Sequence, residues 1–254
     1  MYFNGKTILI TGASSGIGKE LTKQLSKLNC TLHILARRND LLDNLKNKLA
    51  QTNHNIYTYK CDITNKEDIQ NTFEQIFSVN SNIDIAILNA GTSFRSDITK
   101  FNSDEAHNVF KVNVMGIVYC VEQLVPKMIE RKTGTIVGVS SLADSRGFAK
   151  SGVYCASKAA ATRFLESLRV ELSGFGIKVL TVKPGFVRTA MTDKNKFKMP
   201  LLMDADKAVK IILNGIKKGK RIIQFPLPTV FGSKLIGALP VWLYDFFAEK
   251  SKIK

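Results

Sequence analysis

The sequence predicts an α/β protein built on a single doubly wound parallel sheet, with helices on both faces and an apolar C-terminal helical extension. Two observations lead to this fold class. Apolar runs of strand length alternate with amphipathic stretches, and no linker, repeat or low-complexity segment interrupts the alternation. A chain of 254 residues is long enough for one large domain. We therefore expect one domain over residues 1–225 and an extension over residues 226–254.

Strand candidates are short apolar runs, and helix candidates are longer stretches with apolar residues on one face. The predicted strands are Thr7–Thr11, Thr31–Ala36, Ile56–Cys61, Ile83–Leu88, Thr135–Val139, Lys178–Val182 and Arg221–Phe225. The predicted helices are Gly16–Leu28, Asp40–Gln51, Lys66–Phe77, Ser103–Glu130, Tyr154–Leu172 and Asp204–Lys218. Ligands of such sheets bind at the carboxyl ends of the strands, so functional residues are expected directly after strands.

The formal net charge of +16 raises the question of an anionic partner. The lysines are spread along the chain, and no zinc-finger, basic-zipper or aromatic RNA-binding motif is present, so no specific nucleic acid is expected. A solvated lysine-rich surface is the simpler explanation. Attraction to an anionic cofactor or lipid surface is the alternative.

The cysteines and the N-terminal segment indicate the compartment. The four cysteines lie far apart without metal-ligand spacing, which predicts neither a metal site nor a disulfide framework. The first apolar run, Thr7 to Ile10, is too short for the apolar region of a signal peptide. We expect a cytoplasmic protein without a metal.

A glycine-rich loop follows the first predicted strand and opens directly into a helix. Glycines allow a tight turn and a close approach of the backbone to a pyrophosphate, whose charge then faces the helix N-terminus. The spacing Gly-x-x-x-Gly-x-Gly differs from the common dinucleotide fingerprint and from a Walker A loop, and a simple turn is the alternative interpretation. The predicted cofactor-binding residues in this loop are Gly12, Ser14, Ser15, Gly16, Ile17 and Gly18.

The residue after the second strand predicts which dinucleotide binds. An acid near this point would hold the ribose 2′-hydroxyl of NAD, whereas arginine suits the 2′-phosphate of NADP. Arg37 occupies the position, and the competing acid Asp40 lies later, where we expect it to cap the next helix. The sequence therefore favours NADP(H) over NAD(H).

Tyr154 and Lys158 are candidates for proton chemistry. Residues four apart share a helix face, so the ammonium of Lys158 is expected near the phenol of Tyr154. A neighbouring positive charge favours phenolate and is expected to lower the pKa of the tyrosine from about 10. A tyrosine and a lysine at this spacing also occur by chance on many helices, so the pair alone does not decide the function.

Taken together, the motifs resemble those of the short-chain dehydrogenase/reductase family, in the family's order over nearly the whole chain. The matching motifs are TGASSGIG at 11–18, Asn89-Ala90-Gly91 after the fourth strand, Ser141 after the fifth, Tyr154-x-x-x-Lys158, and Pro184-Gly185 after the sixth. The resemblance implies a Rossmann fold and hydride transfer between NADP(H) and a carbonyl or alcohol substrate. The alternative function is a catalytically silent NADP(H)-binding sensor or scaffold.

The resemblance also implies four catalytic roles. Tyr154 would exchange a proton with the substrate oxygen, and Ser141 would hydrogen-bond the same oxygen, while Ser140 would face the core. Lys158 would hold the nicotinamide ribose as well as tune the tyrosine. Asn113 would lie in the middle of a helix and anchor a water of the proton relay.

Further cofactor contacts follow from the same resemblance. Asp62 would contact the adenine, with capping of the helix that begins near Lys66 as its alternative role. Thr189 would reach the nicotinamide carboxamide. Leu88 departs from the family's usual asparagine, and we expect it to alter packing more than cofactor binding. The remaining predicted contacts are Tyr154, Lys158, Asn89, Ala90, Gly91, Pro184, Gly185 and Val187.

The segment from Phe186 to Leu202 corresponds to the family's substrate lid. Its apolar residues suggest a lipophilic carbonyl, although such residues also serve to pack a lid against the domain. These residues are Phe197, Met199, Leu201 and Leu202.

The C-terminal stretch from Phe225 to Phe247 is apolar and precedes several lysines. Three prolines interrupt it, so two short helices, Val230–Ala238 and Val241–Glu249, are expected instead of a membrane span. They would cap the substrate cleft, form a subunit contact, or rest on an anionic membrane surface. The family resemblance also implies a homodimer or homotetramer.

Overall fold

Alternating strands and helices build one seven-stranded parallel sheet in the computed structural model, which describes residues 2–193, 195 and 199–252, with side chains to Lys250. The single parallel sheet and the Rossmann-like fold are confirmed. Of the predicted lid residues, Phe197 lies outside the described residues. The strands are β1 (Thr7–Thr11), β2 (Thr31–Ala36), β3 (Ile56–Lys60), β4 (Ile85–Leu88), β5 (Gly134–Val139), β6 (Ile177–Pro184) and β7 (Ile222–Phe225).

The strand order is β3-β2-β1-β4-β5-β6-β7. The chain therefore runs outward from β1 to β3 and then crosses to the other side of β1, where β4 begins the second half of the sheet. The two halves diverge at the carboxyl ends of β1 and β4. This switch point opens the crevice in which such sheets bind ligands.

Helices cover both faces of the sheet, and each face has its own core. Successive side chains of a strand point to opposite faces, so Ile8 and Ile10 of β1 join one core and Leu9 joins the other. Burial on both faces explains why the strands are nearly continuous apolar runs. The helices of the domain are α1 (Gly16–Leu25), α2 (Asn39–Leu49), α3 (Lys66–Val79), α4 (Ser103–Phe110), α5 (Gly116–Arg131), α6 (Gly152–Glu171) and α7 (Ala205–Lys217).

The helix predicted over Ser103–Glu130 is divided by a π-helical turn, Lys111–Met115, between α4 and α5. Periodicity did not predict this widened turn, because one turn hardly changes the apolar pattern. Of the helices that the structure describes, Ser103–Arg131 is the one long and apolar enough to cross a bilayer, and 44% of its most apolar window is buried inside the protein. Because it packs against the sheet and carries Asn113, we interpret it as a core helix.

Two short helices follow the sheet, α8 (Leu227–Ala238) and α9 (Val241–Lys252), as predicted in number and place. The first begins three residues earlier than predicted. Pro228 explains this start, because proline is well tolerated in the first turn of a helix. Helix α8 packs against β7 and against the single-turn helix Leu142–Ser145 that follows β5.

Candidate active site

The glycine loop between β1 and α1 is shaped by close backbone approaches. Gly12 has a φ of +68°, and a Cβ added there would lie 2.8 Å from the Cα of Ala90. A Cβ on Gly18 would lie 2.4 Å from the carbonyl oxygen of Gly12. Ser15, the residue before α1, makes no side-chain bond to the first amides of the helix. The loop therefore leaves backbone donors at the helix N-terminus available to an anion.

The residues after β4 brace this loop at the switch point. The backbone amides of Asn89 and Ala90 both donate to Thr11 Oγ1, at 3.0 and 3.1 Å. The Asn89 side chain donates to the carbonyl oxygen of Thr11 at 3.1 Å. Leu88, the departure from the family pattern, is buried at the end of β4, which agrees with a packing role. Asn89 and Ala90 thus join the two halves of the crevice.

Two arginines follow β2, and they make different contacts. Arg38 donates to Ser14 Oγ at 3.2 Å and to Ser15 Oγ at 3.1 Å. Arg37, the predicted phosphate contact, is exposed, and its Nη1 lies 4.0 Å from a carboxylate oxygen of Asp62. Sequence reasoning missed Arg38, although the Arg-Arg pair after the strand could have indicated it. Arg38 therefore borders the glycine loop, whereas Arg37 lies beside Asp62.

The predicted cap by Asp40 is wrong, and so is the alternative role of Asp62 as a helix cap. Helix α3 is capped by Asn65, whose side chain accepts hydrogen bonds from the amides of Glu67 and Asp68. Asp62 instead accepts from both the amide and the hydroxyl of Thr64 at 2.9 Å, which shapes the turn after β3. Asp40 lies in the first turn of α2, which begins one residue earlier than predicted. Each helix starts directly after a residue in an extended conformation. The presence of a nearby aspartate did not identify this capping residue.

The segment after β6 lies against the glycine loop. Pro184 ends the strand, and the amide of Gly185 donates to the carbonyl oxygen of Phe225 at 2.8 Å. Val187 is buried. A Cβ added to Gly16 would lie 3.1 Å from the Cγ2 of Thr189. The predicted nicotinamide side of the site and the predicted phosphate side are therefore contiguous.

Asn113 is fully buried in the π-helical turn, and its amide is completely paired. Its Oδ1 accepts from the amide of Thr92 at 2.8 Å. Its Nδ2 donates to the carbonyl oxygen of Thr92 at 2.9 Å and to Ser157 Oγ at 3.0 Å. A buried amide is costly unless it is paired in this way. Asn113 therefore ties the loop after β4 to the helix that carries the tyrosine.

Tyr154 and Lys158 stand on the first two turns of α6, and Ser141 follows β5. The Ser141 side chain hydrogen-bonds Tyr154. Lys158 is buried, and its Nζ lies 5.9 Å from the centre of the tyrosine ring and donates to the carbonyl oxygen of Val139 at 3.0 Å. A Cβ added to Gly91 would lie 3.4 Å from the same Nζ. The catalytic candidates thus converge beside the loop after β4.

The pKa of Tyr154 is raised, so the predicted lowering is wrong. Burial is the main cause, and the hydrogen bond from Ser141 opposes it. Burial also lowers the pKa of Lys158 to about 8, against an opposing effect of Asp144. Sequence spacing predicted the neighbouring charge and did not account for the low dielectric around both groups. The phenol is consequently held protonated at neutral pH.

Ser140 faces the core, as expected, and belongs to a polar network behind the catalytic residues. Its hydroxyl donates to the carbonyl oxygen of Lys158 at 2.9 Å and contacts Thr162 Oγ1 at 2.8 Å. Thr162 donates to Asp144 at 2.6 Å, and Asp144 forms a largely buried ion pair with Lys183 at 2.7 Å. The network links β5, β6 and α6. Sequence reasoning missed Asp144 and Lys183, because neither belongs to a motif.

Comparison with known proteins agrees with this arrangement. Residues 6–199 match the family model for short chain dehydrogenases. An uncharacterized oxidoreductase from Myxococcus xanthus (strain DK1622) is 32% identical over 245 residues, which cover 96% of this chain and 97% of that protein. The similarity therefore extends over nearly the whole chain.

Two solved structures have the same fold. A short chain dehydrogenase/reductase from Burkholderia phymatum in complex with NAD has a TM-score of 0.85 at 20% identity and covers 92% of this chain and 94% of its own. A short-chain dehydrogenase from Sphingobium yanoikuyae in complex with NADPH has a TM-score of 0.81 at 24% identity and covers 93% and 97%. The family match over residues 6–199 shows that this chain belongs to the short-chain dehydrogenase family of nicotinamide-dependent oxidoreductases.

Proposed function

We propose that this protein is an NADP(H)-dependent carbonyl reductase, or the reverse alcohol dehydrogenase, with Tyr154 as its general acid and base. The observation that supports this most is the convergence of Ser141, Tyr154, Lys158 and Asn113 at the mouth of the crevice. The substrate is a small, lipophilic carbonyl or alcohol compound. The family resemblance extends the proposal to a cytoplasmic homodimer or homotetramer.

The crevice residues suit a dinucleotide. Gly12 and Gly18 leave no room for side chains, so the backbone of the loop can approach a pyrophosphate closely. Ile17 lies between Gly16 and Gly18 in the first turn of α1, where its side chain packs against the core. Asp62, two residues after β3, would contact the adenine, and Thr189, which lies against Gly16 of the loop, would reach the carboxamide. Gly91 leaves space beside Lys158 Nζ, where the ribose of the nicotinamide would lie.

When bound, the nicotinamide cofactor supplies or accepts the hydride. Tyr154 donates the phenol proton to the substrate oxygen in reduction and removes it in oxidation. Burial raises the pKa of the phenol, so the phenol carries its proton at neutral pH, as reduction requires. Ser141 orients the same oxygen, and Lys158 holds the ribose. Asn113 positions helix α6 and the loop after β4. A water of the proton relay would be held between them.

NADP(H) is preferred in this proposal because two arginines follow β2. Arg38 lies within hydrogen-bond distance of Ser14 and Ser15, and its neighbour Arg37 is exposed and lies beside Asp62. Guanidinium groups match the geometry of a phosphate and bind it with charge-assisted hydrogen bonds. These groups would hold the 2′-phosphate that distinguishes NADPH from NADH.

The test of the catalytic role is Tyr154→Phe. Loss of the phenol proton is expected to lower kcat by roughly 100-fold to 10,000-fold, the usual contribution of a general acid or base. NADPH binding, followed by the fluorescence of the cofactor, is expected to remain. Tyr119→Phe, on α5, is the matched control and should stay near wild-type. Near-normal turnover in Tyr154→Phe would refute the assignment, and binding without turnover in the wild-type protein would favour the sensor.

The cofactor preference is tested by Arg38→Ala and Arg37→Ala. Each is expected to reduce kcat/KM for NADPH by roughly 10-fold to 100-fold, since a hydrogen bond to a charged group contributes about 1.5–3 kcal/mol. Kinetics with NADH should change little. Lys48→Ala, an exposed cation near the end of α2, controls for general charge loss. Wild-type preference for NADH would overturn the assignment of both arginines.

A further inference from the structure

The C-terminal helices expose an unusual amount of apolar surface. Phe231 is 72% exposed and Trp242 is 71% exposed, although both are large and apolar. We call the exposed large apolar side chains of α8 and α9 the tail surface; it consists of Leu227, Phe231, Leu235, Val241, Trp242, Phe246 and Phe247. Exposed apolar side chains in this number mark a site of interaction with a protein or a membrane.

The tail surface has regular spacing. Leu227, Phe231 and Leu235 follow one another at intervals of four and therefore share one face of α8. Val230, on another face, is buried and packs against the domain. Trp242 and Phe246 have the same spacing on α9. Each helix thus has an exposed apolar face, and α8 also has a buried side that attaches it to the domain.

The two helices are attached to the loop that follows the catalytic serine. Arg146 Nη1 donates to the carbonyl oxygen of Leu239 at 3.1 Å, between α8 and α9. The same guanidinium lies 4.4 Å from the centre of the Tyr244 ring, and the Tyr244 hydroxyl donates to the carbonyl oxygen of Gly147. Because Ser141 begins this loop, the orientation of the tail surface is coupled to that of the active site.

Charge distinguishes between the possible partners. The whole chain carries +16, which favours an anionic bilayer as the partner of this surface. Lys234 is exposed on α8, and the Nζ of Lys250 lies 4.0 Å from the centre of the Phe246 ring. Lysines beside aromatic side chains suit the headgroup region, where the ammonium stays in water and the ring enters the acyl boundary.

We propose that the tail surface inserts into the interface of an anionic membrane and holds the mouth of the active site against it. A lipophilic carbonyl compound dissolved in the bilayer would then reach Ser141 and Tyr154 without crossing bulk water. The proposal of membrane binding depends only on the tail surface. Substrate delivery from the bilayer rests on the proposed function.

The experiment is flotation of the full chain with vesicles of phosphatidylcholine, alone or mixed with phosphatidylglycerol. We expect flotation with the mixed vesicles, weakened by salt, and little with phosphatidylcholine alone. The test variant Phe231→Ser/Trp242→Ser/Phe246→Ser should lose at least about 10-fold in partitioning, given the apolar area that it removes. The matched control, Val79→Ser/Val170→Ser/Phe175→Ser, removes exposed apolar side chains elsewhere and should float like the wild-type protein.

Two activity assays separate this inference from the proposed function. NADPH oxidation with a water-soluble ketone, without vesicles, should be equal in the wild-type protein and both triple variants. Oxidation with a long-chain ketone held in anionic vesicles should fall only in the tail variant. Flotation without any activity would refute the proposed function and leave membrane binding intact.

Three results would overturn the membrane proposal. The first is absence of flotation with anionic vesicles, and the second is equal flotation of the two triple variants. The third is a dimer, measured by light scattering, that the tail variant loses while no protein floats. That last result would identify the tail surface as a contact between copies of this chain.

Discussion

The catalytic crevice and the tail surface depart from ordinary protein structure in opposite ways. The crevice buries charged and polar groups, including Lys158, Asp144 and Asn113, whereas the tail surface exposes large apolar ones. Lysine and aspartate are rarely buried unless they are paired, and contiguous apolar patches are rarely exposed. Both departures require a partner. In the crevice the chain supplies that partner, whereas on the tail surface the described residues leave large apolar side chains exposed to solvent.

The crevice shows how complete this pairing is. The side-chain amide of Asn113 is hydrogen-bonded at both its oxygen and its nitrogen. Lys158 Nζ donates to a backbone carbonyl, and Asp144 bonds to both Thr162 and Lys183. Across the described part of the chain, a single buried side-chain polar atom has no hydrogen-bond partner, the hydroxyl of Thr181 on β6, outside this cluster. The catalytic groups therefore sit in a rigid, preorganised setting.

The largest effect on stability is expected from breaking the ion pair behind the crevice. Lys183→Met leaves the Asp144 carboxylate without its cation in a largely buried position, so the free energy of unfolding should fall by about 3–5 kcal/mol. The double variant Asp144→Asn/Lys183→Met should recover much of this loss, because the asparagine is neutral and still accepts from Thr162. Urea denaturation measures all three proteins.

An exposed ion pair on α6 is the control for this prediction. Arg163 and Glu166 form an ion pair on α6, with 2.6 Å between Arg163 Nη1 and Glu166 Oε2. The arginine side chain is 82% exposed. Arg163→Met should cost at most about 1 kcal/mol, as is usual for exposed pairs. If Lys183→Met cost no more than Arg163→Met, the buried pair would not support the crevice, and the contrast with the tail surface would fail.

A smaller effect is expected from the buried Lys158 as the pH changes. Burial lowers its pKa from 10.5 to about 8. Between these values the unfolded chain binds a proton that the folded chain does not, so the free energy of unfolding rises with pH across this window. The rise is at most about 1.4 kcal/mol per pH unit. This contribution is complete above pH 10.5 and is lost as the pH falls through about 8.

The measurement compares urea unfolding of the wild-type protein and Lys158→Met across that window. Tyr154 is present in both proteins, so its own titration largely cancels in the difference. We expect the stability of the wild-type protein relative to Lys158→Met to increase steadily with pH. A constant difference would show that the lysine is solvated in solution and that the crevice is open to water around it.

Much of the fold and of the site could be predicted because their signals are local. The bounds Thr7–Thr11 and Thr31–Ala36 match β1 and β2, since buried parallel strands are continuous apolar runs. The glycine loop and the Tyr154–Lys158 spacing were visible as short motifs, and parallel strands bring such motifs to one edge of the sheet. The positions of these residues beside one another follow from that geometry.

Other features depend on contacts between distant parts of the chain. The π-helical turn around Asn113, the Asp144–Lys183 pair and the bonds of Arg38 have no local pattern that distinguishes them from ordinary helix and surface residues. The pKa of Tyr154 was predicted in the wrong direction for the same reason, because spacing locates a charge and does not measure burial.

The sequence by itself determined the alternation of strands and helices, the order of the motifs and the apolar character of the C-terminal stretch, because these are properties of neighbouring residues. Only the tertiary structure decided which of the apolar side chains are buried. It buried nearly all of those in the sheet and left Phe231 and Trp242 in contact with solvent. Exposure depends on what packs against a residue, and that is set by the whole fold.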